Sequence, residues 1–256
     1  MTELQIISNS RQNCWRECRY KYRMHYVERF MPFDERDNSA LIFGSYIHRI
    51  LELGIQSRSI NELRKIALEE LENYPIDKKY RNKVEPCLQN FLKFNKKLNH
   101  AGEAEHEYRV KINEDYTQHG IIDRIIEMPG NGILLIDYKT SKREKNSFQL
   151  SEDTQGMSYV YASHVLYKVP IDKITFGHFY PITGNFVRVK YTPGAILKHV
   201  QELTRDVQNI RECKKEDMHP SENQFCDWCD FKKGCPVHNP QHVVDQMISE
   251  AKIRGR

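Results

Sequence analysis

Two apolar segments joined by a turn place the tightest constraint on how this chain folds. Residues 119–128 read HGIIDRIIEM and residues 132–139 read GILLIDYK, with the turn sequence PGNG at 129–132. Apolar runs separated by Pro and Gly predict the two strands of a hairpin. Each run contains an acid, Asp123 in the first and Asp137 in the second, and Lys139 follows two positions later. Charges at the end of a buried strand cost free energy unless something binds them.

The register of the hairpin decides whether the two acids meet. If paired residues have numbers that sum to 260, as 123 and 137 do, the two Cβ atoms lie about 5 Å apart. A sum of 261 would place the acids on opposite faces of the sheet. A three-residue loop over Pro-Gly-Asn, or a bulge at a glycine, produces the register in which paired residue numbers sum to 260. We predict that register. Asp137 and Lys139 share a face because they are two residues apart on one strand.

Two neighbouring carboxylates repel each other unless a divalent cation lies between them. Oxygen ligands without a soft partner are typical of Mg²⁺ or Mn²⁺. Lys139 beside such an ion could orient or deprotonate an attacking water, or neutralise charge on a phosphate. The simpler interpretation is a surface salt bridge between Lys139 and one acid, and the D-x-K spacing alone does not decide between the two.

The rest of the chain alternates between helical and strand patterns. Hydrophobic residues make up 39% of the chain and charged residues 29%, which indicates a soluble globular protein. No apolar run approaches the roughly 20 residues of a membrane helix, so we expect a cytoplasmic protein without a membrane partner. The order of elements predicts an α/β or α+β fold with a mixed central sheet flanked by helices. Helices are predicted over about 8–26, 38–56, 59–74, 79–99, 152–167 and 192–213, and further strands over 105–112 and 173–191.

Seven cysteines in a reducing compartment suggest metal chemistry sooner than disulfides. Cys226, Cys229 and Cys235 form a C-x2-C-x5-C motif, which is typical of ligands to zinc or to an iron–sulfur cluster. A fourth ligand is needed. Cys14 and Cys18 lie one helical turn apart on the same face, so helix geometry leaves both open.

The acid and lysine pattern resembles the RecB-like branch of the PD-(D/E)XK nuclease superfamily. In that branch a G-x-x-x-H helix is followed by a G-x-x-D strand, a D-x-K strand and a Q-x-x-x-Y helix. The order and the spacings agree across residues 44–159. The matching residues are Gly44 and His48, Gly120 and Asp123, Asp137 with Tyr138, Lys139 and Thr140, and Gln155 with Tyr159.

This resemblance implies a restriction-endonuclease-like fold and a role for each matching residue. It implies that His48, Asp123 and Asp137 bind the metal with help from the Tyr138 carbonyl, and that Lys139 is the catalytic lysine. Gln155 and Tyr159 are four residues apart on a helix and can both face the site. A supporting glutamate is expected just before the hairpin, where the chain offers Glu103, Glu105 and Glu107.

The cysteines resemble those of the iron–sulfur type of this branch, which includes the AddB nuclease domain and CRISPR-associated exonucleases. Ser8, Ser10, Trp15 and Cys18 fit the N-terminal pattern of that type, which makes Cys18 the implied fourth ligand. Arg19 follows Cys18, where the family usually has Pro. The resemblance implies a structural 4Fe–4S cluster on Cys18, Cys226, Cys229 and Cys235, with zinc as the alternative.

Together these patterns predict a metal-dependent DNA exonuclease acting on DNA ends or single strands. Basic segments at 19–23 and 139–145 favour phosphate contacts, and Tyr20, Tyr22 or Tyr26 are candidates for stacking on bases or for the core. No Walker A motif is present, so any helicase would be a separate partner. The alternatives are an end-processing endonuclease subunit and a non-catalytic DNA-binding module.

The expected organisation is a single nuclease domain over 1–240. It would be mainly helical over 1–100 and form the sheet core over 101–212. Residues 213–240 would form the cysteine region that closes onto the N-terminal helix, and 241–256 would be a tail, either a short helix or frayed.

Overall fold

The computed structural model describes residues 6–33, 37–98, 100–114 and 116–253, which form two compact units. Unit 1 is drawn from Met1–Arg36, Lys111–Gln118 and Gln201–Arg256, and unit 2 from Asp37–Val110 and His119–Val200. The strands are β1 Ile6–Ile7, β2 Glu103–Lys111, β3 Thr117–Met128, β4 Gly132–Tyr138, β5 Ile174–Tyr180 and β6 Asn185–Val189. The helices are α1 Asn9–Glu17, α2 Arg19–Tyr22, α3 Ser39–Leu53, α4 Ile60–Glu70, α5 Lys78–Leu98, α6 Ser147–Ser151, α7 Thr154–Tyr167, α8 Pro193–Glu212 and α9 Gln241–Ser249.

Unit 2 is built on a mixed sheet. β3 and β4 are antiparallel, β4 and β5 are parallel, β5 and β6 are antiparallel, and β2 pairs with β3. The parallel pair β4 and β5 is connected by α6 and α7, as a parallel pair requires a crossover. The predicted mixed α/β fold is confirmed.

The predicted hairpin register is also confirmed. Pairs run from Met128 opposite Gly132 to Arg124 opposite Ile136, and every pair sums to 260. The three-residue loop that this register requires contains Gly130 with φ 78° and Asn131 with φ 58°. The left-handed backbone conformation costs Gly little free energy and is tolerated by Asn, so these two residues allow the short loop.

The β4 strand is apolar from Ile133 to Ile136 because both of its faces are buried. Leu134, Ile136 and Tyr138 pack into a core with residues of α3, α4 and α5, among them Phe91. Ile133 and Leu135 face the opposite way, into a second core with α7. A strand covered on both sides is expected to read as a continuous apolar run.

Unit 1 brings its N-terminal and C-terminal segments together. β1 pairs in parallel with Thr117 and Gln118, the first residues of β3. One core contains Trp15, Tyr22 and the apolar side chains of the second half of α8, Leu203, Val207 and Ile210. A second core joins residues 20–33 to the cysteine segment through Phe231 and Cys235.

Several predicted elements have different limits in the structure. The predicted helix over 8–26 is wrong as one piece, because Cys18 adopts an extended conformation (φ −162°, ψ 119°) between α1 and α2, and a π-helical turn follows over Arg23–Val27. The helix predicted over 152–167 is α7, which begins two residues later, after the N-cap Asp153, and the short helix α6 before it was not predicted. The tail forms α9 as far as Ser249. Its last three residues, and residue 99 of the predicted fourth helix, lie outside the described part of the chain.

Within the described ranges, no helix has both the length and the apolar character needed to cross a membrane. The predicted limits of a single domain over 1–240 stay a prediction.

Candidate active site and cysteine site

The two acids of the hairpin lie side by side at the end of the β3–β4 pair in unit 2. Asp123 is 9% exposed and Asp137 is 2% exposed. The backbone N–H of Tyr138 donates to Asp123 Oδ2 over 2.6 Å, which ties the first acid to the residue after the second. The register therefore places two buried carboxyl groups within each other's electrostatic field.

Burial and proximity strongly affect the charge of this pair. Burial first, and then the Asp137 carboxylate, raise the pKa of Asp123 well above its usual range. A raised pKa means that burial beside Asp137 makes the negative charge of Asp123 unfavourable. A bound cation would remove that penalty.

His48 reaches the acids from α3. Its Nδ1 lies 3.5 Å from Asp123 Oδ2. Gly44, one turn earlier on α3, permits this approach, because a Cβ at that position would lie 3.2 Å from Thr140 Oγ1. Burial lowers the pKa of His48, although the Asp137 carboxylate opposes the shift. A neutral imidazole is the form that binds a metal.

Glu105 on β2 completes a group of potential ligands. One ligand atom each from His48, Glu105 and Asp123 lie within 4.8 Å of one another. Glu103 instead contacts His106, and Glu107 contacts Arg109 and His119, all on the surface. The backbone at Glu105 is left-handed, with φ 48°, which is uncommon for a residue other than Gly and often marks functional positions. Sequence alone could not choose among the three glutamates because this local distortion of β2 has no sequence signature.

Lys139 lies on the other side of Asp137. Its Nζ is 2.6 Å from Asp137 Oδ2 and donates to Gln155 Oε1 over 3.1 Å. Gln155 Nε2 donates to the Tyr159 hydroxyl, which donates in turn to the carbonyl of Ile121. Burial acts to lower the pKa of Lys139, but the Asp137 carboxylate outweighs it and the pKa is raised. The raised pKa favours the ammonium form of Lys139.

The structure brings the predicted site residues together in unit 2 with one difference in arrangement. Asp137 is outside the group formed by His48, Glu105 and Asp123 because its Oδ2 faces Lys139. The Tyr138 side chain is buried in the core, and the His48 ring lies edge-on to it at 5.9 Å between centroids. The role of the Tyr138 carbonyl stays a prediction.

The donor set fits a hard divalent ion. It consists of carboxylate oxygens and one imidazole, with no thiol in the group, and such donors suit Mg²⁺ or Mn²⁺. Burial first, and then repulsion from Asp137, raise the pKa of Asp123, and a cation held by these donors would offset both effects.

The cysteines form a second site, inside unit 1. Cys18, Cys226, Cys229 and Cys235 line one pocket. The N–H of Ser221 donates to Cys18 Sγ over 3.5 Å, and the N–H of Asn223 donates to Cys226 Sγ over 3.3 Å. Cys14 packs instead with Trp15 and Tyr22 in the core. The structure thus distinguishes the two cysteines that helix geometry left open.

The four cysteine thiols of this pocket are candidate ligands for a metal group. Burial raises the pKa of Cys229 and of Cys235, so their thiolates need a positive partner.

The other predicted contact residues divide between core and surface. Tyr20 and Tyr22 are buried, and the Tyr20 hydroxyl donates to the Gly234 carbonyl, so neither can stack on a base. Lys142 and Arg143 are exposed just after β4. They remain candidates for phosphate contacts.

Comparison with known proteins agrees with this geometry. The sequence profile of the PD-(D/E)XK nuclease superfamily matches residues 6–236. The chain is 21% identical over 265 residues to an ATP-dependent helicase/deoxyribonuclease chain of Streptococcus mutans serotype c, and the match covers 96% of this chain but 23% of that protein. It therefore spans less than a quarter of this relative's length.

A solved structure with a similar fold is that of a "Putative exonuclease" from Eubacterium rectale. The TM-score is 0.57 at 15% sequence identity, and the similarity covers 88% of this chain and 87% of that chain. At this identity the similarity shows the fold alone, which is restriction-endonuclease-like.

Proposed function

Because the chain belongs to the PD-(D/E)XK nuclease superfamily, we propose that it is a metal-dependent deoxyribonuclease that degrades DNA from ends or as single strands. The observation that carries this proposal is the side-by-side placement of Asp123 and Asp137, with His48 and Glu105 on one side and Lys139 on the other. A DNA-binding module without activity has no use for buried carboxylates that repel phosphate.

In this proposal His48, Glu105, Asp123 and Asp137 hold one Mg²⁺ or Mn²⁺ ion, with help from the Tyr138 carbonyl. Such an ion lowers the pKa of a bound water and stabilises charge on the phosphate oxygens. Asp123 binds it as the anion, and His48 binds it as the neutral imidazole, the form that its lowered pKa favours.

Lys139 acts as a cation in this proposal. Its raised pKa favours an ammonium that orients the attacking water and neutralises the phosphate, over a base that removes a proton. Gln155 fixes the direction of the ammonium through its amide oxygen, and Tyr159 fixes Gln155. Of the three roles that the sequence left open for Lys139, this proposal keeps orienting the water and neutralising the phosphate, and it drops deprotonation of the water.

The cysteine pocket would hold a structural 4Fe–4S cluster on Cys18, Cys226, Cys229 and Cys235. The support is the four cysteines around one pocket and the N–H donors to two of the sulfurs. Hydrogen bonds to sulfur are a common feature of such clusters.

DNA is the proposed partner, and a separate helicase is a second one. The name of the Streptococcus mutans relative combines helicase and deoxyribonuclease, which suggests that a chain of this kind works beside a motor that supplies single strands. The exposed Lys142 and Arg143 offer phosphate contacts beside β4.

The decisive experiment compares wild type with Asp137→Ala on end-labelled single-stranded DNA in Mg²⁺ or Mn²⁺. We expect Asp137→Ala to lose cleavage by at least about 1,000-fold while it still retards DNA in a gel, because the acid serves chemistry and not DNA contact. Asp172→Ala, which removes an exposed acid of the same unit, is the matched control and should cleave normally. Equal cleavage by wild type and Asp137→Ala would refute the catalytic proposal.

A circular single-stranded substrate separates an exonuclease from the alternative end-processing endonuclease. An exonuclease leaves the circle intact and degrades the same sequence once it is linearised. Rapid nicking of the circle would favour the endonuclease.

A further inference from the structure

A buried histidine lies beside the proposed metal ligands on the next strand of the sheet. His178 on β5 is paired in register with Asp137 on β4 and is 1% exposed. Its Nε2 lies 3.7 Å from Asp137 Oδ2. Both atoms are buried and neither has a hydrogen-bond partner among the described residues. Two buried polar atoms that face each other without bonding are rare, because each loses its hydration.

The same imidazole also faces a second acid, Asp153, which caps the helix of Gln155 and Tyr159. His178 Nε2 lies 3.9 Å from Asp153 Oδ2. Asp153 is already satisfied, because Oδ1 accepts from the N–H of Gly156 and Oδ2 accepts from Lys145 Nζ. Asp137 Oδ2 has the Lys139 ammonium at 2.6 Å on one side, and a carboxylate oxygen can accept a second donor. Of the two acids, Asp137 is therefore the one with room for a further donor.

The surroundings of the ring favour a proton on Nε2. The Tyr180 hydroxyl accepts from the N–H of Lys145 over 2.8 Å and lies 3.4 Å from His178 Nδ1. Because the Tyr180 oxygen accepts the N–H of Lys145, the Tyr180 hydroxyl can donate its own proton to His178 Nδ1. A ring that accepts at Nδ1 carries its proton on Nε2, the nitrogen that faces Asp137.

We propose that His178 is a positioning residue for Asp137, in that its Nε2–H donates to Asp137 Oδ2 and holds this carboxylate in the orientation that binds the metal. Asp153 Oδ2 lies on the other side of the same nitrogen, at 3.9 Å. Closing the 3.7 Å gap to hydrogen-bond length takes a shift of about 0.7 Å. The inference rests on the proposed metal-dependent function.

The arrangement links the metal ligand to the catalytic lysine by two routes. One is the direct contact of Asp137 with Lys139, and the other passes through His178, Asp153 and helix α7 to Gln155, which binds Lys139. A partner that orients a metal ligand typically changes metal affinity or activity by about 10–100-fold when it is removed. His178 is therefore expected to act on metal affinity and not only on stability.

The test measures Mn²⁺ binding by electron paramagnetic resonance, and the Mn²⁺ concentration for half-maximal cleavage, in His178→Leu, His178→Asn and His178→Gln. Gln places an N–H donor near the position of Nε2, whereas Leu offers no donor and Asn is too short to reach. We expect Leu and Asn to need about 10–100-fold more Mn²⁺ and Gln to stay within about 3-fold of wild type. If circular dichroism shows that His178→Leu does not fold, His178→Asn is used as the variant without a donor in reach of Asp137.

His199→Leu is the matched control for loss of a buried histidine. His199 is 2% exposed in the same unit and bonds to Ser158 away from the acids. It should lower the melting temperature without shifting the Mn²⁺ requirement. If wild type binds Mn²⁺ and cuts DNA while folded Leu and Asn variants keep the wild-type requirement, the inference about His178 is wrong. If wild type itself neither binds Mn²⁺ nor cuts DNA, the proposed function fails instead.

Discussion

At the scale of single residues, the acids of the candidate site are placed at a cost to stability. Asp123 is buried next to Asp137, and both effects raise its pKa. A raised pKa in the folded state means that protonation of Asp123 favours folding. This contribution is fully present at acid pH and is lost as the pH rises through the raised pKa. Sites that must bind a cation often carry such a penalty when empty.

Asp123→Asn should therefore stabilise the protein while it removes activity. Asn resembles the protonated acid and can still accept the N–H of Tyr138. In EDTA at pH 8 we expect the melting temperature to rise by about 2–4 °C, for a gain on the order of 1 kcal/mol. The gain should shrink as the pH is lowered, because the raised pKa lets wild type take up a proton at Asp123, and Asp172→Asn should show neither effect. A lower melting temperature of Asp123→Asn at pH 8 would contradict this account.

At the scale of secondary-structure elements, Gly120 on β3 and Gly156 on α7 lie where neighbouring side chains leave no room for a Cβ atom. Both elements carry residues of the candidate site. A Cβ on Gly120 would lie 2.6 Å from the Tyr108 hydroxyl, so β3 passes directly over the ring on β2. A Cβ on Gly156 would lie close to the Phe176 ring, so α7 lies against β5. These contacts set the positions of Asp123 on β3 and of Gln155 on α7.

Gly120→Ala should destabilise the fold by about 1–3 kcal/mol, because an added methyl group must push aside the buried ring of Tyr108. The same displacement moves β3 and should reduce cleavage more than Mn²⁺-independent DNA binding. Gly194→Ala is the control, since a Cβ there meets only Thr192 Oγ1 at 4.0 Å. Urea unfolding measures the free energy of unfolding of the two variants. Equal values would show that the Tyr108 ring moves aside without destabilising the fold.

At the scale of the whole molecule, unit 1 is assembled from segments that are far apart in the sequence. Cys18 and the segment 226–235 meet at one pocket although about 200 residues separate them. Asn223 Nδ2 bonds to the Glu17 carbonyl and Tyr20 bonds to the Gly234 carbonyl in the same region. A metal group that links such distant segments stabilises the folded state by the loop entropy it removes from the unfolded chain.

Cys226→Ser should lose the visible absorbance of the purified protein and become sensitive to proteases within 213–240. The expected wild type is brown with a broad visible band, whereas a zinc protein is colourless. Cys213→Ser, which changes a cysteine outside the pocket, should keep both colour and protease resistance. Colourless wild type with bound zinc would refute the cluster.

The sequence alone predicted those features of the fold that depend on interactions between residues close together in the chain. The apolar run of β4, the hairpin loop and the caps of α4 and α8 at Ser59 and Thr192 depend on neighbouring residues, and they were predicted correctly. The break at Cys18 was missed because nothing in the local sequence interrupts the helical pattern. The strand β1 was missed because two residues carry too little periodicity.

The sequence by itself determined which residues are candidates for the site, because an acid or a lysine in an apolar strand is conspicuous whatever the fold. Only the tertiary structure decided which of three glutamates approaches His48, which of two cysteines lines the pocket, and that His178 faces Asp137. Those choices depend on contacts between strands and segments far apart in the chain, and spacing along a sequence carries no information about a distance across a sheet.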